Sequence, residues 1–287
     1  MKTIVLYNNR SNNGNGGGTA RKVGEIWKDK DLIFVDVFSI GDYKEFFAKF
    51  EPDDEICICG GDGTLNYFVN DAAEAGYDYS HKIYVYPTGT GNDFLTDLGK
   101  TVEDAPVLVN EYLVNLPTVK VNGQKRLFVN GIGYGIDGYC CEEGDRQRAK
   151  DVGKEINYTS IAIKGLLFNY KPTNAEITVD GETHKFEKVW LAPTMNGRFY
   201  GGGMMATPDQ DRLNPEHTVT TMVMFGKGKI GTLAAFPTIF KGEHIKKTNI
   251  VRTFVGKKVT VKFDRPTALQ IDGETVLDVT EYTVETV

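Results

Sequence analysis

Two glycine-rich turns carry the residue types best suited to chemistry. Gly60-Gly61-Asp62-Gly63-Thr64 follows the apolar run 55–59, and Thr88-Gly89-Thr90-Gly91-Asn92-Asp93 follows the run 82–87. Both stand where strands of an open α/β sheet end and helices begin, the place where such sheets put ligands. Glycines let backbone N–H groups approach phosphate oxygens closely, and the helix that follows adds a favourable partial charge. Phosphate loops usually add Lys or Arg; each of these adds a carboxylate, Asp62 and Asp93. Two carboxylates repel a phosphate unless a cation lies between them. Mg²⁺ suits that position, because it takes carboxylate and phosphate oxygens together and keeps several waters. The expected ligand is a metal-bound nucleotide. Neither turn fits G-x-x-x-x-G-K-[ST], which excludes a P-loop.

The elements that must position these turns are legible as periodicity. Strand-like runs at 2–7, 32–40, 55–59 and 82–87 alternate with helical stretches at 19–28, 42–50 and 64–76 and a short helix from Asn92. That alternation predicts a parallel sheet covered by helices. The polar, glycine-rich stretch 8–18 is either a surface loop or a flap over phosphates. Its Gly14, Gly16 and Gly17 imitate a dinucleotide fingerprint, with Asp36 at a tempting distance. The glycines begin too far past the strand, however, and Asp36 falls inside an apolar stretch, so a dehydrogenase is not expected. After about Asn115 the pattern turns to antiparallel β, with hairpin signals at Asn122-Gly123 and Asp180-Gly181 and strand-like sequence to the end. A helical insert is expected near 153–170. The expected domains are 1–116, α/β and nucleotide-binding, and 117–287, β-rich and mainly antiparallel.

Composition sets the outer limits. The chain has 287 residues, 40% hydrophobic and 25% charged, which suits a globular protein with a sizeable core. A formal charge of −6 argues against nucleic-acid binding. There is no apolar run of about twenty residues to cross a membrane, and the N-terminus reads as a strand rather than a signal peptide. Cys57 and Cys59 alternate along one strand, while Cys140 and Cys141 are adjacent; the set fits no standard zinc spacing. Buried free thiols and a cytoplasmic location are expected. A basic cluster, Arg146, Arg148 and Lys150, precedes Ile156, Ile163, Leu167 and Tyr170 at helical spacing. It reads either as a helix lying on a bilayer or as one packed on the second domain.

Taken in order, these segments resemble the diacylglycerol kinase catalytic domain family, shared with sphingosine kinases and soluble bacterial lipid kinases and more distantly with NAD kinases. Residues 60–70 are similar to its GGDGT-x-N-x-x-x-N block, with Asn66 and Asn70 in place, and 87–94 to its P-x-GT-x-NDF block. Segments 128–138, 195–208, 241–244 and 271–274 match further blocks in sequence, so the resemblance runs nearly the full chain. It implies transfer of the γ-phosphate of ATP, with Mg²⁺, to a lipid hydroxyl, diacylglycerol first among the acceptors. The implied fold is an α/β nucleotide-binding domain of the NAD-kinase and diacylglycerol-kinase type, a β-sandwich second domain and an active site in the cleft between them.

By that resemblance Asp272 is the general base, and Asp62 and Asp93 hold the metal. Gly60, Gly61, Gly63, Thr64, Asn66, Thr88 and Gly89 surround the phosphates, and Thr90 and Asn92 help bind nucleotide. Asn8 and Arg10 belong to the first-strand loop over the phosphates, and Glu274 supports the base from two residues away. Arg146, Arg148 and Lys150 would contact lipid head groups in transient encounters at the membrane surface, and a homodimer is compatible. The chain departs from the family pattern at Asn9, Tyr67 and Lys120. It also departs at Asn214-Pro215-Glu216, where many members have an Asp-Asp-Gly turn that can carry a structural metal. Two other readings stay open: a kinase for NAD or another small hydroxyl compound, and a nucleotide-binding regulatory protein with little or no turnover.

Overall fold

The computed structural model describes residues 1–9, 11, 15–88, 91–151 and 156–287. Three of the expected contacts, Arg10, Gly89 and Thr90, lie outside the described residues, as do Gly14 and the start of the helical insert at 153–155. The chain divides into two compact units, Met1–Val114 and Asn115–Val287.

The first unit is built on a five-stranded sheet of order β2-β1-β3-β4-β5. Its strands are β1 (Thr3–Tyr7), β2 (Leu32–Asp36), β3 (Glu55–Gly60), β4 (Lys82–Pro87) and β5 (Val107–Leu108). β1 to β4 are parallel, and β5 runs antiparallel beside β4. β3 is buried along its whole length, which is why it reads as a continuous apolar run rather than an alternation. Helices α1 (Gly16–Ala20), α2 (Val23–Ile26), α3 (Tyr43–Phe47), α4 (Asp62–Glu74), α5 (Asp93–Asp97) and α6 (Asn110–Leu113) complete the unit. Val5, Ala20, Val23, Cys57, Cys59 and Tyr86 form one of its core clusters. The Cys57 and Cys59 sulfurs are 4.0 Å apart on one face, free and fully buried, as expected. Cys140 and Cys141 are also free but only half-buried.

Two expectations need correction here. The helix expected over 19–28 is two short ones, α1 and α2. The strand expected over 32–40 stops at Asp36, whose carboxylate accepts the Phe38 N–H at 3.2 Å and opens a 3₁₀ turn, Val37–Ser39. Asp36 therefore stands at the end of its strand, not inside it. The dinucleotide fingerprint still fails, because α1 begins at Gly16, well past Tyr7.

The second unit is antiparallel. Its strands are β6 (Thr118–Val121), β7 (Gln124–Leu127), β8 (Gly131–Tyr134), β9 (Thr173–Val179), β10 (Glu182–Val189), β11 (Thr194–Met195), β12 (Phe199–Tyr200), β13 (Met204–Met205), β14 (Val219–Met224), β15 (Val251–Gly256), β16 (Lys258–Ile271) and β17 (Glu274–Glu285). The main sheet runs β15-β14-β11-β8-β16-β17-β6-β7. β16 serves two neighbours: residues 259–263 pair with β9, and 269–271 pair with β8. The register against β17 shifts between those stretches, which lets the strand bend and the sheet fold over into the expected sandwich. Tyr134 stacks on Phe263 at 3.8 Å inside a core that includes Val119, Ile177, Val261 and Tyr282. A second cluster, with Trp190, Met222, Leu166 and Ile239, packs beneath α7 (Ile136–Lys150) and α9 (Lys229–Ala235), and α8 (Tyr158–Lys164) lies against α7.

Three turns fix this topology. Asn122-Gly123, Asp180-Gly181 and Asp272-Gly273 each place both residues at positive φ, from 46° to 95°. Each joins strands in the register of a two-residue loop. Type I′ geometry demands that pair of angles, which Asn or Asp followed by Gly adopts at least cost.

Candidate functional site

Asp62 is the first residue of α4, and its carboxylate faces the start of α5. Oδ2 accepts the Asp93 N–H at 2.8 Å and Oδ1 accepts the Phe94 N–H at 3.0 Å. The amide of Asp62 in turn donates to Gly91 O at 3.0 Å, and the amide of Thr88 donates to Gly60 O at 3.2 Å. The two glycine turns are thus laced together. The first N–H groups of helix α5 have no intrahelical acceptor, and its N-cap residue Asn92 makes no side-chain cap bond; Asp62 supplies the cap from 31 residues away. The carboxylate that looked misplaced in a phosphate loop is the cap of the neighbouring helix. That position over α5 is therefore occupied by the protein's own charge, contrary to the expectation that both helix starts serve phosphate.

The glycines divide by role. A Cβ at Gly60 would lie 2.3 Å from Thr64 Cβ, so this glycine lets the strand end pass close to the first turn of α4; one at Gly61 would lie 2.5 Å from Gly91 O, so this glycine permits the close approach of loop to loop. A Cβ at Gly63 would meet nothing within 4 Å. Gly63 and Thr64 lie in the first turn of α4, where N–H groups have no intrahelical acceptor. They are the amides suited to a phosphate. Asn66 is fully buried and takes the Asn70 side-chain amide on its backbone oxygen at 2.9 Å, which makes it part of the scaffold beneath the turn. Asn92 O accepts the Thr96 N–H and hydroxyl, and Asn8 O accepts the Ser11 N–H and hydroxyl.

A Mg²⁺ arriving with nucleotide phosphates fits this set. Among the described residues each Asp62 oxygen accepts one amide, which leaves it a second lone pair. Asp93 is buried in the first turn of α5, and the buried Thr88 hydroxyl has no partner among the described residues. One or two carboxylates plus phosphate oxygens is what Mg²⁺ ordinarily accepts. Among the described residues no three His, Cys, Asp or Glu side chains converge to hold a resident ion.

In the second unit Asp272 forms the tip of the β16–β17 hairpin. Its Oδ2 accepts the Val129 N–H at 2.5 Å, and its Oδ1 accepts those of Asn130 and Gly131 at 2.8 and 2.9 Å. Three backbone donors on its two oxygens hold the carboxyl in one orientation at the hairpin tip. The donating segment is itself pinned. Arg212 donates Nη1 to Val129 O at 2.6 Å and Nη2 to Asn130 Oδ1 at 2.5 Å, and the Asn196 side chain donates to Val129 O at 3.0 Å. Arg212 escaped sequence reading, because a lone arginine in a loop carries no spacing signal. Asp180 gives a structural precedent: from its own hairpin tip it accepts the Lys257 and Lys258 amides, but it is exposed, whereas Asp272 is buried.

Glu274 opens β17 opposite Ile271, half-buried. Burial, helped by the charges of Asp137, Asp145 and Glu274, pushes the Cys141 thiol up to about 12, so it stays protonated. Asp137, on α7, is buried and accepts the Tyr200 hydroxyl at 2.8 Å; burial raises its carboxyl to about 7. His244 is a buried, hydrogen-bonded histidine whose Nε2–H donates to Ala206 O at 2.8 Å, and burial lowers its pKa. The Asn214-Pro215-Glu216 turn closes on side-chain amide bonds: Asn214 Oδ1 accepts the Thr218 N–H at 2.8 Å and Nδ2 donates to Asp211 O at 2.6 Å. Of the basic cluster, Arg146 pairs with Glu142 and Arg148 with Asp145, all within α7, and Lys150 ends that helix.

Comparison with known proteins joins the two units in one description. Residues 2–120 match the diacylglycerol kinase catalytic domain, and residues 130–285, more than half of the chain, match the YegS C-terminal NAD kinase beta sandwich-like domain. The chain is similar to candidate lipid kinases of Staphylococcus aureus strains JH9 and Mu50, at 27% identity over 236 residues, covering 78% of this chain and 72% of each relative. In fold it is similar to a candidate diacylglycerol kinase from Bacillus anthracis str. Sterne, with a TM-score of 0.69 at 20% identity, covering 100% of this chain and 92% of that one.

Proposed function

The chain belongs to the family that joins a diacylglycerol kinase catalytic domain to a YegS C-terminal NAD kinase beta sandwich-like domain, and from that premise we propose that it transfers the γ-phosphate of Mg·ATP to a lipid hydroxyl, with diacylglycerol as first candidate. The observation that carries the chemistry is the buried Asp272 carboxyl, fixed by three backbone amides. In this reading the lipid hydroxyl oxygen attacks the γ-phosphorus in line, its O–P bond forms as the bond to the β-phosphate oxygen breaks, and ADP leaves with that electron pair. Asp272 accepts the hydroxyl proton. Gly63 and Thr64 N–H groups bind phosphate oxygens. Asp62 and Asp93 would hold Mg²⁺, which neutralises charge on the phosphates. A lipid kinase is the family-level expectation; the acceptor, ATP and Mg²⁺ are our assignments.

A second reading has its own support. Both Asp62 oxygens and both Asp272 oxygens are engaged by backbone amides, an arrangement that also serves a nucleotide-binding regulator without turnover.

The test is transfer from labelled Mg·ATP into a panel of lipid hydroxyls in mixed micelles. Asp272→Asn would run beside Asp180→Asn, because an amide at either tip loses acceptor bonds and damages a hairpin. Transfer to one lipid, lost in Asp272→Asn and kept in Asp180→Asn, supports the base. Equal loss in both variants, tracking their melting temperatures, removes that role from Asp272. Tight ATP binding with no transfer by the wild type to any acceptor favours the regulator.

A further inference from the structure

Helix α8 does not end cleanly. It runs into a π turn, Gly165–Asn169, closed by the Tyr170 N–H donating to Gly165 O at 2.8 Å. The wider turn puts Leu166 and Tyr170 into the core near Trp190 and leaves Phe168 outside, 75% exposed. Helix α9 packs on this turn, and Lys229 Nζ donates to Leu167 O at 2.7 Å. Its neighbour Ile230 is 82% exposed. Among the described residues no large apolar side chain is more exposed than these two.

Charge sorts in the same way. Residues 156–171 and 225–242 hold Lys164, Lys171, Lys227, Lys229 and Lys241 and no Asp or Glu, in a chain whose formal charge is −6. A single exposed hydrophobic residue is ordinary. Two on abutting elements, within stretches that carry lysines and no carboxylate, match an anionic bilayer: apolar side chains enter the acyl boundary while ammonium groups reach lipid phosphates. We infer that the face formed by the π turn and α9 docks on an anionic lipid bilayer, with Phe168 and Ile230 inserted and Lys227 and Lys229 at the head groups. The basic cluster 146–150 is a weaker candidate, because the charges of Arg146 and Arg148 are met within α7. Docking does not depend on which hydroxyl is phosphorylated, and it is measured without nucleotide.

The test is co-flotation with phosphatidylcholine vesicles, with and without phosphatidylglycerol, at low and high salt. The wild type should float with the anionic vesicles and release as salt rises. Phe168→Ser/Ile230→Ser should bind about tenfold or more weakly at an unchanged melting temperature, since both side chains are exposed. Lys227→Gln/Lys229→Gln should bind several-fold more weakly with a flatter salt dependence, and Arg146→Gln/Arg148→Gln should match the wild type. The inference is overturned if Phe168→Ser/Ile230→Ser binds as the wild type does, if neutral vesicles bind equally well, or if the wild type binds neither. It is overturned equally if the wild type self-associates and the same double variant is monomeric, which would make this face a contact between copies.

Discussion

Asp62 and Asp272 behave alike: each carboxylate collects backbone N–H groups from a segment distant in sequence. Asp272→Asn should therefore lower stability as well as transfer, by about 1–3 kcal/mol, because an amide nitrogen cannot accept from the N–H groups left facing it. Chemical denaturation of the purified variant checks this. Gly63→Ala should separate binding from folding. Its methyl meets no atom of the fold, and Ala suits a helix better than Gly by up to about 1 kcal/mol. Stability should hold or rise while ATP affinity falls at least tenfold, read by titration calorimetry. Unchanged affinity would move the phosphate site away from α4. Residue types made both turns visible in the sequence, but not their partners. Nothing in Asp62-Gly63 says that its acceptor oxygens belong to α5, and nothing marks Arg212, because these bonds are chosen by the fold rather than by local spacing.

At the scale of elements, legibility followed how locally each one is determined. The hairpins at Asn122-Gly123 and Asp180-Gly181 were readable because two residues dictate a two-residue turn. Helix α7 was missed: Glu142, Glu143, Asp145, Arg146 and Arg148 leave it no apolar stripe, and it is held by packing on β16 and by ion pairs along its surface. The insert was expected as one regular helix, so Ile163, Leu167 and Tyr170 were placed on one face. The π turn after Lys164 breaks that register: Tyr170 is buried, while Ile163, still in α8, is exposed. The run Gly201-Gly202-Gly203 proves to be a bend between β12 and β13, with φ of 62°, 82° and 100°. A Cβ at Gly202 would touch nothing, so Gly202→Ala tests backbone conformation alone. It should cost about 1–2 kcal/mol, seen as a lower melting temperature; no change would mean that the bend relaxes freely.

For the whole molecule, pH reads the second unit through Asp137. Burial raises its carboxyl from the usual 3.8 to about 7. Below pH 4 the folded and unfolded chains both hold the proton. Between about 4 and 7 only the folded chain keeps it, so this group's contribution to stability falls as pH rises through that window and is level above it. Asp137→Asn should match the wild type near pH 4 and exceed it at pH 8 by a few kcal/mol at most, at about 1.4 kcal/mol per unit. Melting curves at the two pH values decide it; an equal difference at both would mean that Asp137 is not held neutral. The broad architecture, α/β followed by antiparallel sandwich, was legible because periodicity changes between the two halves, whereas the sheet's internal order was not. In that order β16 and β17 lie in the middle, between β8 and β6, yet they follow both in the sequence. Asp272 must find amides 142 residues upstream. At about 5–20 residues per second of synthesis, a nascent chain carries β8 with an unfilled edge for roughly ten seconds before its neighbour leaves the ribosome, so this half of the protein is assembled around a gap that translation fills late.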